Sequence, residues 1–421
     1  MDATRAEPMP HQSTDPPGWQ QTLWAMVGIQ FIMTLSFTIL SPIMPLFLPQ
    51  LGVTRPADID LWAGILNGTT SFVAAFASPL WGHLADRRGR KLMLLRSSFA
   101  IALFTVFMGL SRTVWQFFGA RALMGAFAGF SASAIALVAS QVPEQRLGFA
   151  LGWLSTGQLV GGLAGPVIGG ILADATGSYR VPFYCTAAIC FIAMLLAWRF
   201  VHENFVPDPQ DRRRRSTLAG LRLLTRSGGL LPLFFVLLLA QFGARTVQPV
   251  VTLYVQELIG NPANLATLAG LAFSVTGVAD VIASPFLGKR SDVIGYRRVL
   301  LICLLGATLA TLPQAAANTY WAFIAGRFAL GCFIGGILPT ANALVGRMVP
   351  RAQRGTVYGM TASATFLGNS FGPVTGGGVA AALGLRWVFV VTAALLFANL
   401  VWVYFTVPEF TGHSVDDSAT P

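Results

Sequence analysis

Long apolar stretches separated by short polar connections recur along the whole chain. A helix needs about 20 apolar residues to cross roughly 30 Å of hydrocarbon. Twelve segments meet that length, at about 20–49, 59–82, 92–111, 114–141, 147–174, 180–201, 230–258, 265–288, 298–316, 319–346, 354–383 and 386–407. Several exceed 25 residues, which predicts tilt or extension beyond the bilayer. The pattern predicts an all-α integral membrane protein of twelve transmembrane helices, with the lipid bilayer as its solvent. The first 18 residues are polar and contain no basic region leading into a short apolar one, so segment 1 reads as a retained helix and not as a cleaved signal.

The polar connections repeat. At an offset of 206 or 207, Asp86 maps to Asp292, Gly89 to Gly295, Arg121 to Arg327, Gly148 to Gly355 and Arg180 to Arg386. The pairs Gly165-Pro166 and Gly372-Pro373 match, as do Pro42 and Pro249. An offset that holds over six segments predicts two homologous, pseudo-symmetric six-helix halves. The expected organisation is a tail at 1–19, a first half at 20–203, a Pro- and Arg-rich linker at 204–229, a second half at 230–407 and a tail at 408–421.

Composition agrees: 54% of the 421 residues are hydrophobic, 11% are charged, and the mean hydropathy is +0.64. A net charge of +11 invites a nucleic-acid reading, but its placement argues otherwise. With both termini in the cytoplasm, internal loops and tails hold 21 Lys or Arg, the outer side holds Arg55, Arg112, Arg180 and Arg386, and Arg121, Arg245 and Arg327 lie within the membrane. That asymmetry is the positive-inside pattern. The run Arg212 to Arg215 reads as a topology determinant facing anionic headgroups. The four cysteines fall inside apolar segments without metal-ligand or framework spacing. There is no GxxxxGK[ST] phosphate cradle, no histidine at mid-membrane depth and no Ser-His-Asp set. Neither cofactor, metal, enzymatic activity nor direct use of ATP is expected.

Against this background "GHLADRRGRKLMLLR" at 82–96 resembles the loop between helices 2 and 3 of the major facilitator superfamily. "GGLAGPVIGG" at 161–170 is similar to the segment-5 motif of its drug:proton antiporter branch. "RALMG" at 121–125 and "SPIMP" at 41–45 resemble that family's intramembrane arginine and proline motifs. The resemblance covers about residues 20–407. It implies two parallel halves around a site near the bilayer midplane, and proton-driven export of small amphipathic drugs across a bacterial inner membrane by alternating access, with small-molecule substrate and protons as partners and a monomer as the working unit. A dedicated exporter of one metabolite or siderophore is the alternative, followed by an importing symporter.

Residue roles follow from position. Gly161, Gly165 and Gly169 recur every four residues, a smooth face for another backbone, and Pro166 adds a kink. Gly82 and Gly89 allow close approach and a turn, while Arg87, Arg90 and Lys91 hold the loop inside. Asp86, with its copy Asp292, is expected to latch the halves in an outward-facing state by meeting a helix N-terminus or a nearby arginine.

A charge within the bilayer marks a pathway or a pair. Asp280 is the one deep acid, and Arg245 sits at comparable depth, roughly 20 Å from the segment ends. Either Asp280 takes and releases a proton while Arg245 favours its ionised form, or the two form a permanent buried pair. Segment 1 lacks the acid found in many drug:proton antiporters, so neither the coupling site nor cationic substrates can be assumed. Arg121 is a second coupling candidate, with helix packing through carbonyl hydrogen bonds as the alternative. Helical spacing puts Gln241, Arg245 and Gln248 on one face of segment 7, and Gln30 and Thr34 on one face of segment 1. These stripes are expected to line the substrate cavity, with Phe31, Tyr254 and Phe273 as candidate apolar contacts.

Overall fold

The computed structural model describes residues 19–143, 146–203, 230–348 and 354–407. Among them, twelve helical stretches occupy the expected segments, and no strand is present. α1 runs Trp19–Ile39 and resumes as Ile43–Phe47; α2 is Pro56–Arg88, α3 Arg90–Leu110, α4 Val114–Ala126 with Phe130–Gln141, α5 Leu147–Thr176 and α6 Val181–Phe200. In the second half α7 is Leu230–Thr246 with Val251–Ile259, α8 Leu265–Ile294, α9 Tyr296–Ala315, α10 Tyr320–Met348, α11 Arg354–Leu383 and α12 Leu385–Thr406. The linker with its arginine run, and both tails, lie outside the described residues.

Ten of the twelve stretches are long and apolar enough to cross a membrane. The other two, α2 and α11, are long but less apolar, and they pack along each other. Helices that shelter one another need less lipid-compatible surface than helices facing acyl chains.

The breaks have local causes. Pro42 and Pro249 interrupt α1 and α7 at matching points, because a prolyl nitrogen offers no helical donor and its ring clashes with the preceding turn. The break in α4 has no counterpart, since α10 is continuous there. Gly129 adopts a φ of 124°, and the freed carbonyls of residues 126–128 find side-chain donors. Trp81 Nε1 donates to Ala126 at 2.6 Å, and Arg96 Nη2 donates to Phe127 and Ala128 at 3.2 and 3.1 Å. The Arg96 guanidinium stacks on Trp81, 3.5 Å from its centroid.

Both copies of the charged turn use the same backbone. Gly89 and Gly295 link α2 to α3 and α8 to α9 with φ of 93° and 98°, a region where a side chain would be strained. The first copy is tied down by its own half. Glu203 accepts from the Arg90 and Lys91 amides at 2.8 and 2.7 Å, capping α3. Arg90 Nη1 and Lys91 Nζ donate to the carbonyls of Ala136 and Trp198. Arg87 is exposed, and the side chains of Asp86 and Asp292 lie outside the described residues.

Helix crossings are made by glycine against backbone. Gly161, Gly165 and Gly169 face α1: a Cβ at Gly161 would sit 2.5 Å from the Phe31 carbonyl oxygen, and one at Gly165 would meet Thr38 and Leu35. Gly368, Gly372 and Gly376 of α11 repeat this against α7. Two further seams join the halves. In one, Gly64 and Gly68 of α2 abut Pro373, Ser370 and Gly377 of α11. In the other, Gly170 of α5 abuts Ala266, Gly270 of α8 abuts Pro166, and Ser274 Oγ donates to the Leu163 carbonyl at 2.6 Å. All these inter-half contacts lie toward the ends remote from the charged turns, the Arg-poor ends. Toward the Arg-rich ends, Gly82, Gly148, Gly152 and Gly288 have open space beside them.

A side chain at Gly64 or Gly270 therefore has nowhere to go. Gly64→Val and Gly270→Val are each expected to destabilise by at least about 1–3 kcal/mol, read as a lower melting temperature of the purified protein, whereas Gly152→Ala leaves it unchanged or higher.

Candidate functional site

Between the halves lies a cavity of about 560 Å³, adjoined by another of about 290 Å³. Gln158, Arg245 and Gln248 line both, so the two are parts of one vestibule, whose larger part also has apolar walls from Leu159, Phe273, Leu330 and Ile334. A third cavity, of about 500 Å³, lies between α3 and α4 under Phe104, Phe107 and Leu123 and is apolar.

The segment 7 stripe faces the vestibule: Gln241, Arg245 and Gln248 all line it, as do Phe273 and Asp280 from α8 and Arg327 from α10. Nearer the Arg-rich end of α7, Leu233, Val236 and Leu237 are buried in the core.

Arg245 does not meet Asp280. Its Nε donates to Asn369 Oδ1 of α11 at 2.9 Å and its Nη1 to Gln248 Oε1 at 3.1 Å. Two amide oxygens, one of them three residues on in the turn that breaks α7, take guanidinium donors without needing a buried counter-charge. Asp280 has no hydrogen bond or ion pair among the described residues, and its carboxylate lies against Gly335 of α10, where a Cβ would collide with it. Of the two readings that matching depth allowed, the permanent ion pair is therefore absent. Depth along two helices fixes height but not azimuth.

Arg121 and Arg327 are buried and do the same job in each half. Arg121 Nε donates to the Leu66 carbonyl at 3.0 Å, and Arg327 Nε to the Ala272 carbonyl at 3.3 Å. Each arginine thus staples helix 4 or 10 to helix 2 or 8 at repeat-equivalent atoms. Beside them Gly125 and Gly331 press on the backbone of Thr70 and Thr276. Both arginines also reach the vestibule wall.

Segment 1 departs from expectation. Gln30 is 1% exposed, with Nε2 at 3.4 Å from both Thr34 Oγ1 and Ser131 Oγ, so it sits between α1 and α4. Thr34 packs on Gly161 and Gly162 of α5. Neither lines the vestibule; Phe37, Thr38 and Ser41, further along α1, do. The glycine face of α5 draws the Thr34 side of α1 inward, which turns that stripe into a helix–helix contact. Tyr254 is also core, its hydroxyl donating to the carbonyls of Gln314 and Ala317 at 2.8 and 3.0 Å. Phe31 packs against the same core.

The vestibule residues missed in the sequence are amides: Asn67 on α2, Gln158 on α5 and Asn369 on α11. Each is an isolated amide in an apolar stretch, a signal that the sequence does carry. Their single occurrences form no stripe that helical spacing could pick out.

The sequence model of the Major Facilitator Superfamily matches residues 26–269 and 233–419. The chain is 38% identical over 389 residues to the multidrug resistance protein MdtG of Salmonella dublin, covering 92% of this chain and 95% of that protein. It is also 38% identical to MdtG of Proteus mirabilis, covering 93% and 97%. Among solved structures, the nucleoside transporter NupG superposes with a TM-score of 0.74 at 16% identity, covering 93% of this chain and 100% of that one. An inward-facing, unoccupied bacterial homologue of the human lysosomal transporter Spinster gives 0.73 at 16% identity, covering 93% and 97%.

Vestibule lining is testable without a substrate. In a chain whose four cysteines are replaced by alanine, Gln158→Cys, Gln248→Cys and Asn369→Cys are expected to react with a small hydrophilic thiol reagent, while Gln30→Cys and Tyr254→Cys stay unreactive until unfolding.

Proposed function

The chain belongs to the major facilitator superfamily, and on that premise we propose that it is a proton-coupled antiporter that exports small amphipathic drugs by alternating access. The observation that carries this reading is an unpaired acid, Asp280, on the wall of an inter-half vestibule that also holds Arg245 tethered to two neutral amides. An acid free of a salt bridge can exchange its proton with the vestibule. A guanidinium satisfied by amides keeps its charge in place through the cycle, so Arg245 positions substrate and biases the charge state of Asp280 through space. Arg121 carries coupling through the packing of α4 on α2, where its carbonyl contact ties helix rearrangement to the vestibule. The substrate surface consists of Gln241, Arg245 and Gln248, with Gln158 and Asn369 opposite them; Gln30 and Thr34 serve the packing of α1.

The orientation follows from the positive-inside rule. The Arg-rich turns and both termini face the cytoplasm of a multi-pass inner-membrane protein, so the described state is closed outward and open inward. On this reading the loop of Gly82, Asp86, Arg87, Gly89, Arg90 and Lys91, with Asp292 in the second copy, forms the cytoplasmic latch of the opposite state. Glu203 then holds Arg90 and Lys91 at the start of α3. The transporter works as a monomer, because the vestibule is assembled within one chain.

A second reading, a dedicated exporter of one polar metabolite or siderophore, is favoured by the lining itself: three arginines and several amides against one acid suit a ligand with defined polar groups. A resistance profile of an overexpressing strain separates the two. Protection against structurally varied compounds supports the drug exporter, and a single protected metabolite with no drug shift supports the other.

In inverted vesicles energised by a pH gradient, Asp280→Asn is expected to abolish gradient-driven uptake while substrate exchange at equal pH persists. Undiminished gradient-driven uptake would remove Asp280 from the coupling role. Arg245→Gln is expected to raise the KM for substrate at least tenfold, the loss of about one charge-assisted contact.

A further inference from the structure

At the closed, Arg-poor end the α5–α8 seam terminates in a feature that none of the family-like motifs contains. Helix α8 begins at Leu265, and its own N-cap residue, Asn264, makes no side-chain capping bond. The first turn of a helix leaves its amides without internal partners, and here an acid from the other half takes them. Asp174, near the end of α5, accepts from the Ala266 amide through Oδ1 at 3.2 Å and from the Thr267 amide through Oδ2 at 2.7 Å. Thr267 Oγ1 adds a third bond to Oδ2 at 2.6 Å. A carboxylate on helix amides gains both charge-assisted hydrogen bonds and the field of the helix dipole. One turn earlier, Gly170 abuts Ala266, so the two helices already touch where the clasp forms.

We propose that Asp174 is the outer gate clasp: a helix cap supplied across the two halves that holds the Arg-poor end shut and sets the balance between the two facing states. Opening that end requires α5 and α8 to part there. All three bonds then break together, and the first turn of α8 loses its cap. The clasp is asymmetric. The repeat equivalent of Asp174 is Ala381 on α11, whose side chain carries no acceptor, so it cannot supply the same cap to the α2–α11 seam. Closure at this end therefore combines two glycine seams with one capping side chain, whose loss shifts the equilibrium without dismantling either half. Asp174 is a positioning residue for transport and touches no substrate.

The test reads distance and not transport, so it stands or falls separately from the coupling role of Asp280. Spin labels go at Arg112→Cys and Ala316→Cys, one at the Arg-poor end of each half, in the full chain with its natural cysteines replaced by alanine. Pulsed dipolar spectroscopy in lipid nanodiscs then gives the populations of short and long distances. Asp174→Ala is expected to raise the ratio of long to short at least tenfold, equivalent to about 1.4 kcal/mol. Thr267→Val, which removes one bond of three, is expected to give a smaller shift in the same direction. An unchanged distribution in Asp174→Ala, with helix content and melting temperature retained, overturns the proposal. Should that variant fail to fold, Thr267→Val decides: a shift supports the clasp and none refutes it.

Discussion

The close approach of helix backbones at glycine positions is the constraint on which the rest of the molecule depends. Little hydrophobic force separates helix from lipid inside a bilayer, so tight van der Waals contact must hold helices together. The pattern is the same within and between halves. Gly161, Gly165 and Gly169 seat α5 on α1, while Gly64, Gly68, Gly170 and Gly270 seat one half on the other. Where backbones approach this closely, no side chain fits, and the remaining faces of α5 and α11 are left to carry Gln158 and Asn369 into the vestibule. Packing thus decides which polar groups are available to a ligand.

The repeat supplies the frame and its exceptions supply the chemistry. Arg121 and Arg327 make equivalent carbonyl contacts, and Gly89 and Gly295 make equivalent turns. The vestibule charges break the symmetry: the repeat mate of Arg245 is Thr38, and that of Asp280 is Ala74. The same holds for the clasp, where Asp174 faces Ala381 across the repeat. Two copies of a six-helix unit could rock symmetrically. Unequal charges give the two facing states different energies and so set their populations.

The dense basic loop has two separable physical uses. Arg96, from the start of α3, stacks on Trp81 and satisfies the carbonyls opened by the break in α4. Arg90 and Lys91 fasten the head of α3 to Glu203 and to carbonyls of their own half. A charged knot between two greasy helices thus caps a helix and repairs a broken one, in addition to any effect on topology.

The twelve helical stretches and the half-chain repeat were legible in the sequence, because apolar length and fixed offsets are one-dimensional properties. The polar stripe of segment 7 was legible too: Gln241 and Arg245 are one turn apart on α7, and Gln248 follows in the turn at the Pro249 break. Relations between helices were not. The depths of Arg245 and Asp280 agreed, yet rotation about each axis sent one to Asn369 and the other to Gly335. Gln30 and Thr34 formed a valid stripe, but it faces α4 and α5 instead of the vestibule. Asp174 lies near a helix end, and only the fold brings the uncapped start of α8 against it, 92 residues along the chain. Periodicity fixes the angle between residues on one helix; only the packed structure fixes how that helix is turned toward its neighbours.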